Sequence, residues 1–405
     1  MPDGYGFNRS AARRVVSVGG APKVALFSGN YNYVTDGANK ALNRWVGYLE
    51  SRGAEVRVFS PTSPTPAFEP QGTLISVPSF SFPGRSDYRV GLPLGRKQKR
   101  MLEAFRPDII HLSAPDMLGT SALKYGLKND IPIVCSFHTR FDTYFRYYNL
   151  GFVEKGVRRH MRWFYSQCRH VYIPSQSMAD VLIEEGIVSR SNQRVWSRGV
   201  ELDQFSPNRR DMAWRRSMGV DDDEIVVSFV GRLVREKGLN RFARVMKALW
   251  DGGVQARAMI VGDGPERATM EATLPEAVFT GHLSGVDLAR AYASSDIYFN
   301  PSLTETFGNV TVEAMASGVA TVAMDATGSA SIINDGRNGV LLDPDGDDPY
   351  FECFASLCRD KAKRDRMART GLADSASYSW DRINAALYDQ YLEVLNEISQ
   401  TARAA

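Results

Sequence analysis

Two successive series of short apolar runs, alternating with helical patterns, constrain this chain more than any other feature. The first series is Lys23–Ser28 (KVALFS), Glu55–Phe59 (EVRVF), Asp108–His111 (DIIH), Ile131–Ser136 (IPIVCS) and His170–Ile173. Between these runs, Ala38–Arg52 sets Ala38, Leu42, Trp45, Val46 and Leu49 at helical spacing, and Gly53 ends the pattern. Further helices are expected near 117–129, over 154–169 and from Ser177, while the Pro-, Ser- and Gly-rich residues 61–95 read as loop with short strands. The second series begins at Glu224–Val230 (EIVVSFV), continues with a helix over 238–251, and then holds Arg257–Val261, Asp296–Asn300, Val319–Ala323 and Gly339–Leu341 with helices between them. Strands buried on both faces read as unbroken apolar runs, and their alternation with helices requires parallel sheets covered on both sides. The fold class is therefore α/β, with two Rossmann-like, doubly wound parallel sheets. A chain of 405 residues also exceeds one ordinary core. The expected division is a flexible lead over 1–20, an N-terminal domain over 21–200, a linker near 199–212 and a C-terminal domain over 205–380. A helix over 381–405 lies beyond the second series. Sheets of this kind bind ligands outside the carboxyl ends of their strands, so motifs placed there carry the functional reading.

Charge is divided unevenly. Residues 1–200 hold 27 Lys/Arg and 15 Asp/Glu, whereas the rest holds 22 and 31, so a formal +3 conceals a basic half joined to an acidic half. The basic half is expected to face something anionic: nucleic acid, an anionic membrane or a phosphorylated substrate. The four cysteines, Cys135, Cys168, Cys353 and Cys358, form no CxxC pair and no Cys/His cluster, and read as reduced thiols of a cytoplasmic protein. No apolar run is long enough to span a bilayer, and the first 20 residues lack the apolar core of a secretion signal.

Four stretches of the second half carry the functional reading, three of them at strand tips of the second series. SFVGRLVREKG (228–238) turns at Gly231 and offers Arg232 and Lys237, two cations suited to a diphosphate. IVGDGPE (260–266) turns sharply at Gly262 and Gly264, which would let a ligand approach the backbone. FTGHLS (279–284) places His282 beside a glycine whose neighbouring backbone groups can pair with the edge of a flat heterocycle. SLTETFGNVTVEAMASG (302–318) sets Glu305 before a turn at Gly308 and Glu313 inside the helix that follows. That helix start supplies uncapped N–H groups and the positive end of a dipole. Carboxylates suit vicinal diols, so the spacing accommodates one carboxylate for a hexose and one for a ribose, with a pyrophosphate between them. Each stretch alone is also consistent with an ordinary turn or a solvated charged loop.

In this order, G-R-x-x-x-E-K-G, V-G-D-G-P-E, G-H and E-x-F-G-x-x-x-x-E resemble the retaining glycosyltransferases of family 4, which have the two-domain GT-B fold with a central cleft. RGVELDQFSP (198–207) is similar to that family's interdomain segment, with Glu201 where Asp is usual. The stretch Tyr33–Asn39, PSFSFPGRSDYRVGLP (78–93), RPDIIHLSAPDMLG (106–119) and SFHTRFDTYFRYYNLG (136–151) resemble the branch of sulfolipid synthases and related glycolipid mannosyl- and glucosyltransferases. The resemblance implies a nucleotide-sugar donor and a membrane-lipid acceptor such as ceramide or diacylglycerol. It implies that Arg232 and Lys237 bind the donor pyrophosphate, Glu305 the transferred sugar, and Glu313 the ribose. Backbone groups of Phe307, Gly308, Asn309 and Val310 would meet sugar and phosphate. Gly37 would let the N-terminal domain approach the phosphates, and His138 would lie near the anomeric carbon. The terminal helix would rejoin the N-terminal domain.

No Asp-x-Asp stands where a metal would bridge the diphosphate, and Asp221–Asp223 read as a solvated loop, so no metal or other cofactor is expected. Basic residues of the helix over 154–169, with Gly95–Arg100, suit peripheral attachment to the anionic inner face of the cell membrane, although a core helix with a solvated basic face gives the same pattern. No nucleic-acid module is present in the sequence, so nucleic acid is not an expected partner. Arg140, in His138-Thr139-Arg140, adds a cation beside the expected hexose site and favours an anionic sugar, UDP-glucuronate before UDP-glucose and GDP-mannose, although an Arg140 directed to solvent or to the anionic membrane is equally consistent with the sequence. The alternatives are a GDP-mannose-dependent mannosyltransferase, a GT-B nucleotide-sugar epimerase and a non-catalytic sugar-binding protein. Incubation with donor alone separates the epimerase, and a nucleotide thermal-shift screen the last.

Overall fold

The computed structural model describes residues 21–33, 37–82, 85–138, 154–346 and 350–404. The expected flexible lead and Arg140 lie outside the described residues. Two compact units are present. One contains Met1–Ile173, Ala179–Trp196 and Asn384–Ala405, and the other Pro174–Met178 and Ser197–Ile383.

The first unit is built on a seven-stranded parallel sheet. Its strands are β1 (Lys23–Phe27), β2 (Glu55–Ser60), β3 (Thr73–Ser76), β6 (Ile109–Leu112), β7 (Ile133–Ser136), β8 (His170–Ile173) and β9 (Gln193–Val195). They run in the order β3-β2-β1-β6-β7-β8-β9, and an antiparallel hairpin of β4 (Ser79–Phe82) and β5 (Arg85–Gly91) stands apart. Strands β6 and β7 are buried along their whole length, as their apolar runs demand. Helix Gly37–Ser51 buries Leu42, Trp45, Val46 and Leu49, one apolar stripe laid against the sheet. Helix Met117–Lys128 starts where the Asp116 carboxylate accepts the Gly119 N–H at 2.7 Å. Among this unit's described residues one helix was not expected, Arg96–Phe105, in which only Gln98, Leu102 and Phe105 are buried.

The second unit holds a six-stranded parallel sheet of β10 (Ile225–Val230), β11 (Ala256–Val261), β12 (Val278–Gly281), β13 (Ile297–Asn300), β14 (Ala320–Met324) and β15 (Val340–Leu342). The order is β12-β11-β10-β13-β14-β15. Phe229, Phe242, Phe299 and Phe354 meet in its core, with helix Leu239–Asp251 covering one face. Helices Gly285–Ala293 and Asn309–Ala316 take part in a second apolar cluster, with Tyr292, Tyr298 and Met315. In both sheets the chain runs outward in one direction and then restarts on the other side of its first strand. The switch points fall at β1/β6 and β10/β13, where this architecture leaves a crevice at the strand tips.

Candidate active site

At the β10/β13 switch point, two loops bring opposite charges together. The loop after β10 passes Gly231 and Arg232, makes one 3-10 turn over Arg235–Lys237, and enters helix Leu239–Asp251 through Gly238 at φ 74°. The loop after β13 carries Glu305 and reaches helix Asn309–Ala316 through Gly308 at φ 96°. Lys237 Nζ lies 2.6 Å from Glu305 Oε1, and both side chains are mostly covered. A Cβ on Gly238 would sit 2.3 Å from the Pro301 carbonyl, so the two loops touch through backbone, which only glycine allows there. Arg232 is exposed and takes part in no ion pair among the described residues.

The Glu305 loop is held from behind. The Thr327 hydroxyl donates to the Glu305 carbonyl at 2.8 Å, and a Cβ on Gly328 would lie 2.5 Å from the Phe307 carbonyl and 2.8 Å from Glu305 Cβ. The Phe307 ring is buried against Tyr378 and anchors the turn, so this residue has only its backbone to offer a ligand. Gly308 caps the following helix without a side chain, so no side-chain acceptor caps the first N–H groups of the helix, at Asn309 and Val310. Glu313, one turn further, accepts a hydrogen bond from the buried Tyr292 hydroxyl at 3.0 Å. Burial first, and the Glu313 charge second, push the Tyr292 phenol well up, so it remains a donor to that carboxylate. Burial, then the Glu305 and Glu313 charges, do the same to Tyr298.

The glycine turns after β11 pack closely on the neighbouring loop. A Cβ on Gly262 would lie 1.9 Å from the Gly231 carbonyl, and one on Gly264 2.5 Å from the Leu233 carbonyl. The close approach at these glycines is made by the protein's own backbone. Leu233 N–H donates to the Asp263 carbonyl at 2.9 Å, and Gly262 N–H to Gly281 at 2.8 Å. The loops after β10 and β11 and the tip of β12 are thus joined by backbone contacts into one rim, which carries Arg232. His282 is exposed on that rim just past β12.

In the first unit, Gly37 is the exposed first residue of its helix, in the segment that follows β1. His138 stands two residues past β7, half-buried, with its ring 6.0 Å from Trp196. Of the basic residues on helix Glu154–Ser166, Arg158 is engaged by Glu154 and Glu185, whereas Arg159 is exposed, as is the aromatic Trp163. Met161, Phe164 and Tyr165 bury the other side. Sequence reasoning missed Tyr292, Thr327 and Gly328. Tyr292 stands 21 residues from the carboxylate it holds, in an unremarkable helix, and no local signal marks it.

Two Rossmann-like parallel-sheet domains with a charged switch-point loop pair define a GT-B protein. The chain belongs to the glycosyltransferases: residues 35–204 match the family model Glycosyltransferase Family 4, and residues 211–373 match Glycosyl transferases group 1. It is 34% identical to a GDP-mannose-dependent alpha-mannosyltransferase of Mycolicibacterium smegmatis, over 94% of this chain and 100% of that one. It is 30% identical to the sulfoquinovosyl transferase SQD2 of Arabidopsis thaliana, over 88% of this chain and 71% of that one. Among solved structures, sucrose-phosphate synthase from Thermosynechococcus elongatus aligns over 93% of this chain and 100% of that chain, with 18% identity and a TM-score of 0.73. At that identity the likeness concerns the fold.

Proposed function

We propose that this protein is a retaining glycosyltransferase that moves a hexosyl group from a nucleoside-diphosphate sugar to a membrane lipid. The observation that carries this reading is the meeting of Lys237, Glu305 and the uncapped helix start at Asn309 on one switch point, beside the exposed Arg232. Arg232 and Lys237 take the diphosphate, and their charge stabilises the leaving phosphate as the anomeric C–O bond breaks. Glu305 holds hydroxyls of the sugar, and Glu313, oriented by Tyr292, holds those of the ribose. The leaving phosphate oxygen accepts the acceptor's proton, and the acceptor oxygen bonds to the same face of the sugar. The two side-chain cations fill the role of a divalent metal, so transfer needs none.

The mannosyltransferase relative favours GDP-mannose as donor. Arg140, read from sequence, favours UDP-glucuronate. The likeness to the glycolipid branch, together with the sulfoquinovosyl transferase relative, favours a lipid acceptor. Residues Arg96, Lys97, Lys99, Arg100 and Arg159 are exposed and make no ion pair among the described residues, which suits an anionic bilayer surface on the cytoplasmic side. No helix among the described residues is long and apolar enough to cross a membrane.

The test is a transfer assay with GDP-mannose, UDP-glucuronate and UDP-glucose against diacylglycerol and ceramide in mixed micelles. Product configuration is read by NMR, with and without EDTA. A retained α-linkage on lipid, formed in EDTA, is expected. Donor isomerisation without acceptor would instead establish an epimerase.

A further inference from the structure

The donor reading assigns Lys237 and Glu305 to different parts of the nucleotide sugar, yet in the structure they bind each other. Lys237 Nζ and Glu305 Oε1 are 2.6 Å apart, a charge-assisted contact, with side-chain exposures of 26% and 16%. A carboxylate oxygen at that distance offers the ammonium what a phosphate oxygen would offer: an anionic acceptor in hydrogen-bond range. A diphosphate reaching Lys237 must therefore displace Glu305 or endure its charge at close quarters.

The loops around the pair are not free to resolve the conflict. The Glu305 carbonyl accepts the Thr327 hydroxyl, Gly328 leaves no room for a side chain beside the Glu305 Cβ, and Lys237 is followed by Gly238, packed on the Pro301 backbone. What remains adjustable is the Glu305 side chain, a flexible carboxylate with several rotamers. Arg232, by contrast, has no carboxylate to displace among the described residues.

We propose that Glu305 acts as an internal competitor of the donor diphosphate for Lys237, and so sets the preference of the site for nucleotide sugar over free nucleoside diphosphate. This rests on the reading that Lys237 takes the diphosphate. A nucleotide sugar compensates Glu305 for the lost ammonium by offering it sugar hydroxyls. A nucleoside diphosphate offers nothing in exchange. Once the sugar has been transferred, Glu305 loses its hydroxyl partners and returns to Lys237, which weakens the hold on the product diphosphate. The carboxylate thus has two functions, sugar recognition and product release.

Isothermal titration of GDP, UDP, GDP-mannose and UDP-glucose into the full-length wild type, Glu305→Gln and Lys237→Ala tests this, with thermal unfolding confirming that each variant is folded. The amide keeps the shape and removes the charge. Glu305→Gln is expected to bind the recognised nucleoside diphosphate roughly threefold to tenfold more tightly than the wild type. Its preference for the matching nucleotide sugar should shrink, and the gain should vanish in Glu305→Gln/Lys237→Ala. If Lys237→Ala loses diphosphate binding but Glu305→Gln gains none, the competition is refuted and the site reading survives. If Lys237→Ala binds diphosphate as the wild type does, or none of these nucleotides binds the wild type, the site reading itself fails and the competition with it.

Discussion

Each unit carries a polar cluster on a parallel sheet, and the two clusters are satisfied in opposite ways. In the first unit, the Trp45 indole N–H donates to the Tyr391 hydroxyl at 3.3 Å, Tyr391 is bonded to His111 Nδ1, and His111 Nε2 lies 2.7 Å from Ser136 Oγ. Both ring nitrogens of His111 thus have a hydroxyl partner, Tyr391 on Nδ1 and Ser136 on Nε2, and a neutral imidazole satisfies the pair by donating at one nitrogen and accepting at the other. Burial holds the His111 ring down at about 3, far below the ordinary imidazole range, so it stays neutral. All four residues are buried and the cluster is closed; it pins helix Trp380–Ala404 to the sheet. In the second unit, Lys237 and Glu305 stand at the strand tips, partly exposed, and among the described residues neither side chain has another ion-pair partner. A closed, buried cluster stabilises. A charged pair at a switch point, with an uncapped helix start beside it, is arranged to exchange partners.

Breaking each cluster should give effects of different kinds. The largest belongs to the second unit: Lys237→Ala should lower kcat by roughly 10²–10³-fold, with an unfolding midpoint close to the wild type. A comparable loss of stability with turnover preserved would place Lys237 among structural residues. In the first unit, His111→Asn should destabilise by about 2 kcal/mol, because Tyr391 and Ser136 lose a buried partner. Denaturant titration measures that loss, and kcat of the folded fraction should be unchanged. Smaller again is Tyr292→Phe, which removes one hydrogen bond to Glu313. About 1 kcal/mol, or roughly a fivefold weakening of nucleotide binding, is expected, and an unaltered titration would exclude Tyr292 as a positioning residue.

The subtlest difference lies in pH dependence. The unfolded chain protonates His111 near its ordinary value of 6.5, whereas the folded protein refuses that proton until about 3. Stability from this residue is therefore complete above about pH 6.5 and is lost progressively as pH falls toward 3. His170, lowered to about 4 mainly by burial, adds in the same direction. Denaturation midpoints measured from pH 7.5 to 4 should fall less steeply in His111→Asn than in the wild type.

Much of the fold could be read from sequence because strands buried on both faces leave unbroken apolar runs such as VALF and IVVSFV, with little competing signal. Helix Arg96–Phe105 escaped notice because it buries only three residues and one of them is Gln98, so its basic character hid its period. Strand β9, two half-buried residues and the exposed Val195, carries no apolar run at all. That Lys237 and Glu305 would share one end of the second sheet was legible because both follow strand tips of a parallel sheet. Their mutual contacts were not. The Lys237–Glu305 pair spans 68 residues, and the packing of Gly262 on Gly231 joins two different strand tips. Glycine in a linear motif announces close approach without saying what approaches; at Gly262 and Gly264 one close neighbour is another loop of the same protein.

The claim that the second unit's open cluster receives a nucleotide sugar is tested most directly by thermal unfolding with GDP-mannose, UDP-glucuronate and UDP-glucose, comparing the wild type with Arg232→Ala. Arg232 is exposed and unpaired among the described residues, so its removal should leave the unliganded midpoint in place. One nucleotide sugar should raise the wild-type midpoint in a concentration-dependent way, and the rise should disappear in Arg232→Ala. An equal rise in both proteins, or no rise with any of the three donors, would contradict the account.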